Sequence, residues 1–236
     1  MLTTQPNYKI TWEKLPDDFV LPDDPVDNIN QPALAAALTE SLLLAGKLGE
    51  TALTSTNYGI CATIDGKFAV KAPDWAYIPS IGVDRSQVIR SYTPKLQGEQ
   101  PAVVLEFLSD TEGGEYSVKE TFPVGKFFFY EQILQVPNYG IFDPATGHLE
   151  LYCLNENQRY QRQTADAQGR FWLPEMQLFL GVWRGSRENP DTYWLRWWDA
   201  QQQLLLWGTE RVTLEQQRAD RLAAQLRAAG IEPEVQ

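Results

Sequence analysis

Apolar residues recur at helical spacing from Ala33 to Lys47, with Gly49 just beyond as a stop, so a helix is expected there. Short strand-like pieces follow at Ala52–Ser55, Tyr58–Ile64 and Lys67–Ala72, and Asp65-Gly66 between the last two is a hairpin signal. Residues 80–100 read as a loop. The run from Ala102 to Leu108 is nearly continuous in Val and Leu, which marks a strand buried on both faces. After a loop at Asp110–Glu115, Val124–Leu134 reads as helical, Tyr139–Phe142 as a strand ending at Asp143-Pro144, and His148–Leu154 as a further strand. This order predicts an α/β core with helices covering a mixed sheet. Beyond residue 160 the pattern changes. Trp172, Trp183, Trp194, Trp197, Trp198 and Trp207 fall in short alternating pieces, which predicts an added β region, and Arg211–Ala229 reads as an amphipathic helix stopped at Gly230. The expected division is an N-terminal arm over 1–30, an α/β core over 31–160, a Trp-rich β extension over 161–208 and a terminal helix over 209–236. The arm is rich in Pro and Asp, with a short strand expected at Tyr8–Trp12.

Composition narrows the chemistry. An apolar fraction of 43% supplies a core, and no run approaches the roughly 18 apolar residues of a transmembrane helix. Residues Met1–Pro6 carry no basic segment leading into an apolar one, so a cytoplasmic protein without membrane association is expected. Cys61 and Cys153 lie far apart in apolar contexts and read as buried thiols rather than a disulfide or zinc site. His148 is the sole histidine and lies beside a turn, which disfavours a histidine-based hydrolase. The net charge of −11 works against simple nucleic-acid binding, although part of it is local: Glu13, Asp17, Asp18, Asp23, Asp24 and Asp27 face a single Lys14 in one stretch.

The candidate chemistry is a split set of acids. Asp74 follows Pro73 and the run Phe68–Ala72, Glu106 closes the run from Pro101 to Leu105, and Lys126 opens an aromatic helical stretch. Carboxylates at the ends of two buried strands can converge on Mg²⁺, a hard cation that favours oxygen ligands, or on Mn²⁺; the carbonyl of Phe107 is a candidate third ligand. A bound ion of this kind polarises a phosphate and activates water, and a lysine beside it can orient that water or offset charge. Each residue also has a plain alternative: a loop acid, a paired strand-end carboxylate and a solvated lysine in a helix's first turn.

The segments Pro73–Ile78, Pro101–Ser109, Lys126–Tyr130, Val136–Pro144 and Leu149–Tyr152 resemble, in order and spacing, the Uma-two family of restriction-endonuclease-like proteins. The resemblance spans roughly residues 30–160. It implies a restriction-endonuclease-like α/β fold of the PD-(D/E)xK type, with Asp74 and Glu106 in the metal-ligand positions. Leu108 stands where the simple motif has lysine, and the resemblance places the basic residue on the following helix, at Lys126. Tyr130 lies one turn further along that helix, and Glu40 of the first helix is a further candidate for the metal.

The resulting expectation is a Mg²⁺-dependent DNA endonuclease with catalytic residues Asp74, Glu106 and Lys126 and metal ligands Asp74 and Glu106. A homodimer is expected, because double-strand cleavage needs two sites. The alternative is a catalytically silent nuclease fold that serves as a protein-interaction module. The Trp-rich segment reads as core or dimer surface more readily than as a base- or sugar-stacking platform. In the terminal helix, Glu215 and Asp220 interleave with Arg218, Arg221 and Arg227, which fits a partner-packing helix better than a DNA-reading one.

Overall fold

The computed structural model describes residues 8–20, 30–109, 114–187 and 191–231. Asp23, Asp24 and Asp27 of the acidic arm, with most of that arm, lie outside the described residues, as does the start of the Asp110–Glu115 loop.

The centre is a six-stranded sheet. In chain order its strands are β2 (Leu53–Ser55), β5 (Trp75–Ile78), β6 (Val103–Phe107), β7 (Asn138–Asp143), β8 (His148–Leu154) and β9 (Tyr160–Arg162), and they are adjacent in that same order. All pairs are antiparallel except β6–β7, which is parallel. That single parallel step requires a crossover, which residues 108–137 supply. All five residues of β6 are buried, as its Val-Val-Leu run predicts.

Each face of the sheet has its own cover. On one side, Trp75, Val103, Leu105, Phe107, Phe142 and Leu151 pack with helix α1 (Asn30–Leu44) and with a three-stranded antiparallel sheet of β10 (Arg170–Leu173), β11 (Leu178–Gly185) and β12 (Thr192–Trp198). Helix α1 has Pro32 near its start, where its missing N–H costs little, and an Ala/Leu-rich body. It ends where Gly46 takes φ 65° and the Lys47 N–H closes on the Leu42 carbonyl at 2.9 Å. On the other side, Ala76, Ile78, Val104, Tyr139 and Ile141 pack beneath a second small sheet and a helical segment. That sheet is β1 (Ile10–Thr11), β3 (Ile60–Ile64) and β4 (Lys67–Lys71). Its β3–β4 turn is the expected hairpin: Asp65 and Gly66 both take positive φ, 48° and 77°. The helical segment, α2, begins as α-helix at Lys126–Phe128 and continues as a π-helical turn over Phe129–Leu134.

Most of the tryptophans of this region belong to the core, while Trp172 is exposed. Trp194, Trp197 and Trp207 are almost wholly buried, and Trp197 donates from Nε1 to the Leu38 carbonyl of α1. Among them lies Arg196, fully buried, with its guanidinium 3.5 Å from the Trp207 ring centroid. It bonds both oxygens of Glu210, at 3.0 and 2.6 Å, and the Leu205 carbonyl at 3.1 Å. Glu210 lies in the first turn of helix α3 (Gly208–Ala228) and also accepts the Trp207 N–H at 2.8 Å. The base of α3 is therefore fixed by a charge-assisted, bidentate pair. Beyond it no residue of the helix is buried, and Val212, Leu214, Leu222 and Leu226 are exposed. No helix among the described residues is long and apolar enough to cross a membrane.

Candidate active site

The sheet register brings the two predicted carboxylates together. Trp75 of β5 stands opposite Leu105 of β6, so Asp74, one residue before β5, falls opposite Glu106. Residues directly opposite on neighbouring strands share a face. Asp74 thus sits at the entrance to β5 in the central sheet, and not at the end of the Lys67–Ala72 strand, which belongs to a different sheet. Its Oδ2 accepts the Phe107 N–H at 2.6 Å, which ties the acid to the neighbouring strand.

Lys126 completes the group. Its Nζ lies 3.1 Å from Glu106 Oε2 and 3.0 Å from Glu115 Oε1. The helix that carries it can start there because Gly125 runs hard against Ser117: a Cβ at this glycine would sit 2.1 Å from the Ser117 carbonyl oxygen. One turn along, Tyr130 donates its hydroxyl to Glu106 Oε1 at 2.9 Å. Tyr130 stands in the π-helical turn, a distortion that often marks functional positions. Tyr139 of β7 donates to the Glu115 backbone carbonyl at 2.9 Å and so holds the loop that delivers Glu115.

Burial sets the electrostatics. Glu106 is fully buried, and burial pushes its carboxyl up to about 8; Asp74 adds to this, while Lys126 and Tyr130 oppose it. Burial also lifts Asp74, to about 6, against the pull of the Phe107 N–H and Lys126. Burial works against the Lys126 charge as well, but Glu106 and Glu115 outweigh it and hold the ammonium above the ordinary lysine range. Two buried acids with raised carboxyls, beside a lysine that keeps its charge, form an arrangement typical of functional sites.

Two residues unmarked in the sequence belong to the group. Glu115, at the end of the predicted loop, is the second partner of Lys126. Gln31 of α1 donates from Nε2 to the Phe107 carbonyl at 2.8 Å, so the candidate third ligand already accepts one hydrogen bond. A carbonyl oxygen retains a second lone pair for a cation. Glu40 does not reach the site. Nine residues after Gln31, it lies on the opposite side of α1, where it pairs with Arg187 at 2.6 Å and accepts the Gly208 N–H. His148 and both cysteines also take no part: His148 bonds Glu150, and burial raises both thiols, to about 11.

The donor set suits a hard divalent cation. It consists of oxygens alone, from two facing carboxylates and one carbonyl, and no cluster of three or more acid, histidine or cysteine side chains able to hold a metal occurs among the described residues. Mg²⁺ is commonly held by only one or two carboxylates, with water and substrate phosphate filling the remaining positions. A cation would also offset the burial penalty that now raises both acids.

No curated protein matches the chain. The profile of the Uma2 family, described as "Putative restriction endonuclease", matches residues 15–187, a span that includes Asp74, Glu106, Glu115 and Lys126. This is a family of restriction-endonuclease-like nucleases, a group that generally uses a divalent metal and takes DNA as its substrate class. With its mixed α/β architecture and the greater part of its length inside that match, the chain belongs to the Uma2 family.

Proposed function

We propose that this chain is a metal-dependent DNA endonuclease in which Asp74 and Glu106 hold Mg²⁺ or Mn²⁺ and Lys126 assists the attack of water on the phosphodiester. The observation that carries this reading is the placement of Asp74 opposite Glu106, with Lys126 Nζ 3.1 Å from the latter. The bound ion supplies Lewis-acid polarisation of the phosphate and a water of lowered pKa. The protein's own groups do the rest. Gln31 fixes the Phe107 carbonyl, Tyr130 orients the Glu106 carboxylate, and Glu115 anchors the Lys126 ammonium between two acids. From there Lys126 can donate a hydrogen bond to the attacking water or to a phosphate oxygen as negative charge builds. Incubated with supercoiled plasmid and Mn²⁺ or Mg²⁺ at low salt, the chain is expected to produce nicked circles. Absence of nicking under these conditions, in a folded sample, would count against the reading.

The raised carboxyls give this reading a pH signature. Between the ordinary values of 3.8 and 4.5 and the folded values near 6 and 8, the folded chain binds more protons than the unfolded one. In EDTA, stability should therefore fall as pH rises through that window. A metal must displace the same protons, so Mn²⁺ affinity should rise from pH 6 to 8. Thermal melts in EDTA and in Mn²⁺ at both pH values test this. The difference in Tm that the ion produces is expected to be larger at pH 8.

A dimer belongs to the same proposal, since double-strand cleavage needs two sites. The second reading, a silent nuclease fold acting as an interaction module, draws on the net charge of −11 and on the exposed leucines of α3.

A further inference from the structure

The row of opposed residues that begins with Asp74 and Glu106 does not stop there. Glu106 stands opposite Ile141 of β7, and Ile141 opposite Glu150 of β8, so Glu150 lies on the same sheet face two strands along. Its side chain is only 13% exposed and gathers donors from several directions. The Tyr152 hydroxyl donates to Oε2 at 2.6 Å, while Arg162 Nη2 and His148 Nε2 approach Oε1 at 3.0 and 3.2 Å. Tyr116, whose hydroxyl pKa is raised by burial and by the nearby Glu150, is the residue directly after Glu115, so the cluster adjoins the loop that anchors Lys126.

This arrangement holds two side chains toward solvent. Arg162 of β9 is 55% exposed and His148 is 58% exposed, and they lie 3.3 Å apart, nitrogen to nitrogen. Both contacts of Arg162 run through one terminal nitrogen, Nη2. Guanidinium is suited to phosphate because its donors form a planar fork. Residue 162 follows β8's Tyr152 across the sheet, three strands from Glu106. At a strand spacing of roughly 4.8 Å, that is about 14 Å from Glu106.

We propose that Arg162, with His148 beside it and Glu150 setting the position of both, forms a subsite for a backbone phosphate of the DNA strand a few nucleotides from the one cleaved. The inference rests on the nuclease reading and adds to it a direction: the bound strand leaves the site on the β9 side of the molecule. It also gives an acidic protein a local cationic contact where one is needed. Arg162 is a binding residue here, and Glu150 a positioning residue.

The test is DNA binding by fluorescence anisotropy on a labelled duplex in Ca²⁺, across a salt series, for the wild-type chain, Arg162→Gln and Arg162→Lys. A phosphate contact contributes about one unit to the slope of log K against log salt. The expected result is weaker binding with a slope shallower by about one in Arg162→Gln, and a slope retained in Arg162→Lys, with kcat for nicking in Mn²⁺ changed far less than KM. A merely structural ion pair would lower thermal stability in both variants and leave the slope alone. If the wild-type chain nicks DNA and the Arg162→Gln slope is unchanged, the subsite is refuted while the nuclease reading stands. If the wild-type chain binds neither Mn²⁺ nor DNA, both are refuted together.

Discussion

Replacing Lys126 by methionine is expected to lower the rate of Mn²⁺-dependent nicking by about 10²–10³-fold, the usual cost of removing one group aimed at charge that develops in the transition state. The ammonium sits between Glu106 and Glu115 at 3.1 and 3.0 Å, where it is placed for that role. The same substitution should leave metal binding intact or tighten it, because Lys126 and the ion compete for the negative charge of Glu106. Loss of turnover with retained binding is what separates Lys126 from the two metal-holding acids. Single-turnover nicking and calorimetry on one preparation read both quantities. If Lys126→Met nicked at the wild-type rate, the lysine would be a structural partner of two buried acids and nothing more.

The second large effect concerns stability. Glu210→Ala should destabilise the fold by about 3–5 kcal/mol, the range found when one member of a buried ion pair is removed and the other is left stranded. Arg196 would retain the Leu205 carbonyl and its stack on Trp207, but its fully buried guanidinium would lose both bonds to carboxylate oxygens. Thermal unfolding should show Tm lower by about 6–20 °C for a domain of this size. The first turn of α3 should loosen at the same time, because Glu210 also accepts the Trp207 N–H. Replacing Arg196 and Glu210 together by leucine and methionine should recover much of the loss, since the buried charge is then gone. A Glu210→Ala variant as stable as wild type would mean that the Trp–Arg packing alone holds this region.

Much of this arrangement is legible in the sequence where local chemistry dictates it. The Asp65-Gly66 turn needs positive φ at both positions and takes it, and β8 spans His148–Leu154, the limits its pattern predicts. The Val-Val-Leu-Glu-Phe run of β6 forecasts burial on both faces, and with it an acid in need of partners. Strand β5 was hidden, because Trp75–Ile78 is four residues with no polar alternation to show its period. Asp74 therefore reads as the end of the preceding strand, although it opens this one. Glu40 attracts attention as a charge on the first helix, yet nine residues of helix turn it away from the face that carries Gln31. Gln31 and Glu115 carry no sequence signal for their roles. One is an uncharged amide before a proline, and the other lies on a loop whose return to Lys126 only the tertiary fold determines. The tryptophans alternate as core and surface strands both do, and only the packing against α1 and its neighbours assigns Trp194, Trp197 and Trp207 to the interior while Trp172 stays exposed.

The most direct test of the metal site is a calorimetric titration of Mn²⁺ into the wild-type chain, Asp74→Asn and Glu106→Gln at pH 8 and low salt, with thermal melts to verify that each variant is folded. Both substitutions keep side-chain shape and remove the charge. In Asp74→Asn the amide oxygen can still accept the Phe107 N–H; in Glu106→Gln it can still accept from Lys126, while the Tyr130 hydroxyl turns to accept from the amide N–H. The expected result is one specific site in the wild type, lost or weakened at least tenfold in both variants. A wild-type chain that binds no ion, or variants that bind as tightly as it does, would contradict a metal centre at Asp74 and Glu106.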